Sequence, residues 1–283
     1  MMEWLGGYDG HTRRAYERVG HRFLEALDTP LRDAAVEDYR RAVDTLAIKP
    51  DGSEASNATK ATYTAAIKSF LGFAHQLGYI AFNAAPLIKV KKAQRDLAKR
   101  IISEIDIGLL ITNSETTRER LLVEVGYYGG LRVSELVNLK WGDLIERDCD
   151  RLQIASLVGK GGKVREVLLP AGVSRRLRCY RGDAPANAFV FQGEGNRTSQ
   201  HGGIGVRTAL NIIKAIARRA GLSDAISPHW LRHAHISHAL DNGAPVSLVS
   251  QSVGHTDMKT TSIYAHARPG DSSGLYLKEI GEG

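Results

Sequence analysis

The segment 228–266 constrains this chain more than any other, because its residues dictate both a helix and the place where it ends. His229 and Arg232 are three positions apart and therefore share a face if the segment is helical. The run 242–245, Asn-Gly-Ala-Pro, supplies the stop: Gly accepts a left-handed C-cap and Pro cannot continue a helix. The sequence therefore predicts a helix that presents His229 and Arg232 together and ends near residue 242.

A second helical pattern follows, with Val246, Val249 and Val253 at helical spacing. It is broken by Gly254 and His255, and Tyr264 lies nine positions after His255 behind a Thr-Thr pair. Each residue type in this segment suits one task in phosphoryl transfer: arginine holds a phosphate, histidine moves a proton near pH 7, and tyrosine can act as a nucleophile.

In this order and spacing, His-x-x-Arg, Gly-His and Tyr resemble the C-terminal signature of the tyrosine recombinases, the phage-integrase and Xer-like family. The resemblance implies a mainly α fold with a small β-hairpin or sheet. An N-terminal all-α core-binding domain would precede an α+β catalytic domain.

Residues 130–136 read Gly-Leu-Arg-Val-Ser-Glu-Leu, directly after a largely apolar helical pattern over Thr116–Gly130. Alone, this segment could be a fragment of a helix-turn-helix. Beside the C-terminal segment it resembles the family's first arginine box, in which Arg132 would bind the scissile phosphate. Glu135 lies three residues later, on the same helical face, where it could orient Arg132.

Two alternating segments, Leu152–Val158 and Val164–Leu169, predict a β-hairpin joined by the glycine-rich run 159–163. A lysine in such a turn is normally just exposed. Here the turn resembles the family's lysine hairpin, whose first lysine enters the active site. The resemblance gives that role to Lys160, and we expect Lys163 and Arg165 to contact phosphates.

Three amphipathic patterns, His11–Ala26, Leu31–Leu46 and Thr59–Gly78, predict helices in a small domain over residues 1–92. Residues 93–100 are predicted as a linker and 101–283 as the catalytic domain. The stretch around the linker is strongly basic, which fits either a solvated tether or a segment lying along DNA. We interpret it as the latter, with contacts from Lys91, Lys92 and Arg95.

The overall charge agrees with a nucleic-acid partner, since a net charge of +7 favours a polyanion. The only cysteines, Cys149 and Cys179, lack a partner motif and are expected as reduced thiols. The first residues show no basic segment followed by an apolar core, and no apolar run approaches a membrane span. We therefore expect a cytoplasmic protein with no membrane contact.

The histidine-rich run of the C-terminal segment also invites interpretation as a metal site, because His229 and His233 are four apart and His235 and His238 follow. Catalytic zinc usually adds a carboxylate ligand or a general-base glutamate, and this helix offers neither. We expect no metal. No nucleotide-binding motif is seen either, and a covalent phosphotyrosine conserves the bond energy, so no cofactor is expected.

The resemblance implies that Tyr264 attacks a DNA phosphodiester to give a 3′-phosphotyrosyl intermediate. Arg132, Arg232 and His255 would hold the phosphate oxygens, His229 would help take the tyrosine proton, and Lys160 would protonate the leaving 5′-oxygen. The predicted partners are a double-stranded recombination site and three further copies of the chain in a tetrameric synapse.

Two other functions remain open from the sequence. A type IB topoisomerase-like enzyme uses similar residues as a monomer, and a non-catalytic DNA-binding protein could keep the same motifs for contacts alone. The complete residue set disfavours the second, and the helical N-terminal domain disfavours the first. Integration or excision and chromosome-dimer resolution are both compatible with the motifs.

Overall fold

The structure is a computed structural model that describes residues 1–49, 51–88, 101–158, 164–193, 202–255 and 259–264. The chain divides into two compact units, Met1–Arg95 and Asp96–Gly283, and the division falls inside the basic stretch. The helices are α1 (Met2–Leu5), α2 (Gly10–Glu25), α3 (Val36–Leu46), α4 (Asn57–Gln76), α5 (Glu104–Thr112), α6 (Thr117–Tyr128), α7 (Val133–Asn138), α8 (Ala171–Arg181), α9 (Val206–Arg219), α10 (Pro228–Asp241), α11 (Val246–Val253) and α12 (Lys259–Ser262). The strands are β1 (Leu144–Arg147), β2 (Arg151–Val158) and β3 (Val164–Leu168).

Helices α1 to α4 form the first unit around a core of aromatic and aliphatic side chains. Phe23 of α2 and Leu71 of α4 are fully buried in this core. Trp4, on the short helix α1 that the sequence pattern did not indicate, is buried beside them, and its indole N–H donates a 3.0 Å hydrogen bond to Ser69 of α4. The three predicted helices are all present in this unit.

Helix α3 begins five residues later than predicted, at Val36 instead of Leu31. The side chain of Asp38 accepts a 2.8 Å hydrogen bond from the backbone N–H of Ala35. An acid at this position satisfies an N–H that the first turn of a helix leaves without an intrahelical acceptor. The capping interaction therefore sets the start, and hydrophobic spacing alone did not locate it.

The second unit is built on α6 and α10, which pack against each other at its centre. Seven residues of α6 are buried, including the carboxylate of Glu124. Arg120 donates a 3.0 Å hydrogen bond to that carboxylate, and Arg176 of α8 donates one of 2.8 Å. Because a buried carboxylate is costly unless paired, these contacts stabilise the packing of α8 on α6.

The three strands form one antiparallel sheet in the order β1-β2-β3. Ile154 of β2 pairs with Val167 of β3, and an irregularity interrupts the register between Ile154 and Leu157. Burial alternates along β3 and just beyond it, with Arg165, Val167 and Leu169 buried and the residues between them exposed. The predicted hairpin strands are therefore confirmed, and one face of the sheet is covered by the rest of the unit.

The run Ala-Phe-Val-Phe at 188–191 has the apolar character of a short strand, but the structure has none there. Within this run, Val190 donates a 2.8 Å backbone hydrogen bond to the carbonyl of Leu139. Only an isolated bridge forms, between Lys140 and Phe189. The predicted fold class is confirmed, since the described residues are mainly helical with one small antiparallel sheet. Within the described ranges, no helix combines the length and apolar character needed to cross a membrane.

Candidate active site

Arg132 is the N-cap residue of α7 and lies two positions after Gly130, the second residue of the glycine pair that follows α6. Its backbone N–H donates a 2.7 Å hydrogen bond to Oε2 of Glu135, and its Nη1 donates one of 2.9 Å to Oε1 of the same carboxylate. Nη2 donates a 3.0 Å hydrogen bond to the carbonyl oxygen of Gly254. With 36% of its side chain exposed, Arg132 is held on two sides and remains accessible to a ligand.

Arg232 lies on α10, and its side chain extends from this helix into the same region. Its Nη1 and Nη2 each donate a 2.6 Å hydrogen bond, to the carbonyl oxygens of Gly130 and Val253. Burial, and then the charges of Arg132 and Arg165, lower the pKa of Arg232 to about 9, so it stays charged at neutral pH. A buried cation beside Arg132 suits a site where negative charge develops on a phosphate.

His255 follows α11 through Gly254, whose φ of 66° lies in the left-handed region. Nδ1 of His255 and the hydroxyl of the buried Thr261 share a 2.9 Å hydrogen bond. Burial, and then the charges of Arg232 and Arg132, lower the pKa of His255 to about 4. The imidazole is therefore neutral at pH 7 and carries one N–H, enough to donate a hydrogen bond to a phosphate oxygen.

Tyr264 is buried against α10, and its hydroxyl shares a hydrogen bond with Nδ1 of His233. His229, one turn earlier on the same helix, packs its ring edgewise on His233 with centroids 4.3 Å apart. The structure therefore brings the predicted nucleophile to a pair of histidines. The sequence prediction included His229 but not His233, although their spacing of four residues is a signal that the two share a helix face.

Glu135 joins the predicted arginine box to the sheet, because its carboxylate also binds Arg165 of β3. Nη1 of Arg165 donates a 2.8 Å hydrogen bond to Oε1 of Glu135, and Nη2 donates one of 2.6 Å to Oε2. Burial by itself raises the pKa of Glu135, but the hydrogen bonds from Arg165 and from the backbone of Arg132 hold it below its usual value. The carboxylate is therefore ionised between two arginines.

The predicted phosphate contact of Arg165 stays a prediction, and the described contacts give this side chain another use, since only 4% of it is exposed. Besides its two bonds to Glu135, its Nε donates a 2.8 Å hydrogen bond to the carbonyl oxygen of Ser252. Strand alternation turns Arg165 to the same face as Val167, toward the protein interior. The guanidinium is thus used inside the protein and not at its surface.

Five predicted residues lie outside the described residues: the hairpin lysines Lys160 and Lys163, and Lys91, Lys92 and Arg95 of the basic stretch. Their predicted roles stay predictions. Among the described residues, β2 ends at Val158 and β3 begins at Val164, and β3 carries Arg165 into the cluster.

The other histidines of α10 have separate partners. Nδ1 of His238 and the hydroxyl of Tyr127 share a 2.9 Å hydrogen bond across to α6. His235 is half-buried near Gly130, and this burial lowers its pKa to about 4. Among the residues that the structure describes, no three His, Cys, Asp or Glu side chains come together as a metal site would require. The histidine run thus serves packing on α6 and contact with Tyr264.

Comparison with known proteins places this arrangement in context. The profile of the phage integrase family matches residues 94–270. Tyrosine recombinase XerD of Listeria innocua is 31% identical over 293 residues, covering 97% of this chain and 92% of the relative. The chain is also similar in fold to two solved structures at lower identity. One is XerH site-specific recombinase bound to its difH substrate in a pre-cleavage complex (TM-score 0.71, 20% identity, 90% of this chain and 76% of that chain). The other is the Tn1549 transposon integrase with circular intermediate DNA (TM-score 0.73, 16% identity, 96% and 95%).

Proposed function

The chain belongs to the phage integrase family, and we propose that it is a site-specific tyrosine recombinase that cleaves and rejoins double-stranded DNA through a 3′-phosphotyrosyl intermediate. The similarity over 97% of the chain to a protein named tyrosine recombinase supports this activity. The observation that carries the proposal is the contact between Tyr264 and His233, next to a cluster of Arg132, Arg232 and His255.

In the proposed cleavage step, the phenolic oxygen of Tyr264 attacks the scissile phosphorus while the bond from phosphorus to the 5′-oxygen breaks. The phenolic proton passes to the histidine pair, directly to His233 and assisted by the packed ring of His229. Lys160 delivers a proton to the departing 5′-oxygen. Rejoining is the reverse reaction, in which a 5′-hydroxyl of another strand attacks the phosphotyrosine.

The remaining residues stabilise the charge that accumulates on the non-bridging oxygens. Arg132 is accessible and held by Glu135, so it can bind one oxygen directly. Arg232 contributes a positive charge from its buried position, and the neutral His255 donates a hydrogen bond. Preorganised donors of this kind cost little reorganisation during the reaction, which is why they are effective.

The proposed partner is a DNA recombination site, which the first unit grips as the core-binding domain while the basic stretch lies along phosphates. Four copies of the chain would assemble on two paired sites. We place the protein in the cytoplasm, where its exposed Cys149 and Cys179 would stay reduced. The named relatives are recombinases and an integrase, and none supports the alternatives of a topoisomerase-like enzyme or a non-catalytic DNA-binding protein.

The test has two stages. A DNA sequence that the protein binds is first selected from a pool of randomised duplexes. The covalent protein–DNA adduct is then trapped on that sequence in duplexes that carry a nick next to the cleavage position. Wild-type protein should form an adduct, Tyr264→Phe should bind equally but form none, and Tyr128→Phe should behave as wild type. The released end should be a 5′-hydroxyl, labelled by polynucleotide kinase without prior phosphatase treatment. An adduct formed by Tyr264→Phe, or a released 5′-phosphate, would overturn the proposal.

A further inference from the structure

We infer that Arg165 is a positioning residue for the reaction, which aligns Arg132 through Glu135 and ties strand β3 to the Gly254–His255 turn. The inference rests on the proposed function. Three of the segments that supply the site meet at this one side chain: the arginine box through Glu135, the end of α11 through Ser252, and the hairpin through β3, which carries Arg165 itself.

The first step is the shared carboxylate. Oε1 of Glu135 accepts one hydrogen bond from Nη1 of Arg132 and one from Nη1 of Arg165. Oε2 accepts one from Nη2 of Arg165 and one from the backbone N–H of Arg132. Arg165 therefore occupies one side of the carboxylate and fixes the plane that Arg132 must match. Because a guanidinium presents a rigid, planar fork, this alignment depends on arginine and not only on a positive charge.

The second step concerns Gly254, which accepts a hydrogen bond from Arg132 and packs against the side chain of Arg165. Its carbonyl oxygen accepts from Nη2 of Arg132 at 3.0 Å. A Cβ at this position would lie 3.0 Å from Nη1 and 3.1 Å from Cδ of Arg165. The backbone that leads into His255 therefore rests directly on the Arg165 side chain. Displacing Arg165 moves both anchors of Arg132, Glu135 and Gly254, together.

The third step is burial, which separates this role from a DNA contact. Only 4% of the Arg165 side chain and 10% of the Glu135 side chain are exposed. A pair this enclosed interacts with little screening by salt, in contrast to surface charges. A phosphate contact would require Arg165 to leave the carboxylate, and Glu135 would then be buried beside a single arginine. The enclosed geometry favours a permanent pair.

The critical variant is Arg165→Lys, which keeps the charge but loses the fork. We expect its single-turnover cleavage at saturating DNA to fall about 100-fold, the effect of an error of about 1 Å in the placement of a catalytic group. Its affinity for DNA and the salt dependence of that affinity should be unchanged. Arg178→Lys is the matched control, because Arg178 and Glu146 form a similar two-bond pair on the surface.

A double-mutant cycle tests whether Arg165 affects the cleavage rate through Arg132. In an Arg132→Lys background, Arg165→Lys should cause little further loss of the cleavage rate, because the residue it aligns is already changed. Glu135→Asp, which shortens the carboxylate, should resemble Arg165→Lys, and the two together should lose no more than either alone. All rates are measured at a temperature where circular dichroism shows each variant to be folded.

Cleavage by Arg165→Lys at the wild-type rate would overturn the inference, and so would an equal loss in both Arg132 backgrounds. Arg165→Ala could instead bind DNA more weakly, with a flatter salt dependence of the affinity and an unchanged cleavage rate. That result would show that Arg165 contacts a DNA phosphate. If the wild-type protein forms no tyrosine adduct, the proposed function fails and this inference falls with it. If wild type cleaves and Arg165→Lys cleaves equally, only the inference fails.

Discussion

The hydroxyl of Tyr264 and Nδ1 of His233 share a hydrogen bond in the interior of the second unit, 31 positions apart in sequence. In the proposed reaction, this contact makes His233 the immediate acceptor for the phenolic proton, and the ring of His229 packs against that of His233. His233→Ala should therefore slow adduct formation by about 10²–10⁴-fold, the usual range for general base assistance. The measurement is single-turnover cleavage of the nicked duplex at saturating protein.

His238→Ala is the control for that substitution, since His238 is a buried histidine of the same helix that bonds to Tyr127 instead. It should leave the cleavage rate of folded protein near the wild-type value. Normal cleavage by His233→Ala together with a large loss in His229→Ala would assign the proton to His229 alone, as the sequence motif predicted.

A second prediction concerns the turn that links α11 to His255. Gly254→Ala places a side chain in the left-handed region, at a cost of about 1–2 kcal/mol, and also presses it on Arg165. We expect the free energy of unfolding in urea to fall by more than that amount and the cleavage rate to fall as well, because Gly254 anchors Arg132.

Gly221→Ala is the control that separates the cost of the left-handed backbone from the cost of the contact with Arg165. Gly221 also has a φ of 68°, but a Cβ there would meet nothing within 4 Å. Its loss of stability should match the conformational cost alone, and its cleavage rate should be normal. Equal losses of stability in the two variants would show that the contact with Arg165 adds nothing.

Much of this site could be predicted from the sequence because its signals are local. The spacing of His229 and Arg232, the stop after Asp241 and the left-handed Gly254 all follow from rules that act within one helix and its caps. The same rules predicted the helices of the first unit. They missed the true start of α3, where a single capping contact overrides the hydrophobic pattern.

The partners across the site could not be predicted in this way. Arg132 meets Gly254 from 122 positions away, and Arg165 meets Glu135 from 30 positions away. Those pairings depend on the tertiary placement of α7, β3 and α11, on which local periodicity carries no information. One signal was available for Arg165: in an alternating strand it shares a face with Val167, which predicts burial and not a surface contact.

A third prediction concerns the dependence of stability on pH. Burial lowers the pKa of both His235 and His255 to about 4, whereas histidine in an unfolded chain titrates near 6.5. Between those values the unfolded chain binds more protons, so the free energy of unfolding should decrease as the pH falls from about 7 toward about 4. Urea unfolding at several pH values measures this directly.

His235→Phe should reduce that dependence by removing one of the two half-buried histidines whose pKa is lowered. His75→Phe, at an exposed histidine of the first unit, is the control and should leave the dependence as in wild type. A wild-type stability that rises as the pH falls through this range would contradict the assignment of neutral buried histidines.

The basic stretch gives a fourth prediction, about the salt dependence of DNA affinity. Proteins that neutralise about six to ten phosphates lose about 10³–10⁵-fold in affinity between about 50 and 200 mM salt, because bound counterions are released. Replacing Lys91, Lys92 and Arg95 with Ala together should flatten that slope. The control triple replaces Arg32, Arg41 and Lys60, which form surface ion pairs in the first unit. Equal slopes in the two triples would make the basic stretch a plain tether.

The last prediction concerns Lys160 as the general acid. Cleavage expels a 5′-alkoxide, a poor leaving group that needs a proton as the bond breaks, and an ammonium on a flexible stem can supply it. Lys160→Ala should slow cleavage by about 10²–10⁴-fold with nearly normal DNA binding. Replacing the bridging 5′-oxygen with sulfur should restore cleavage, because a thiolate leaves without a proton. The same substrate should not rescue Arg132→Ala, whose defect lies in charge stabilisation. If sulfur rescues Lys163→Ala and not Lys160→Ala, the proton comes from the second lysine of the hairpin.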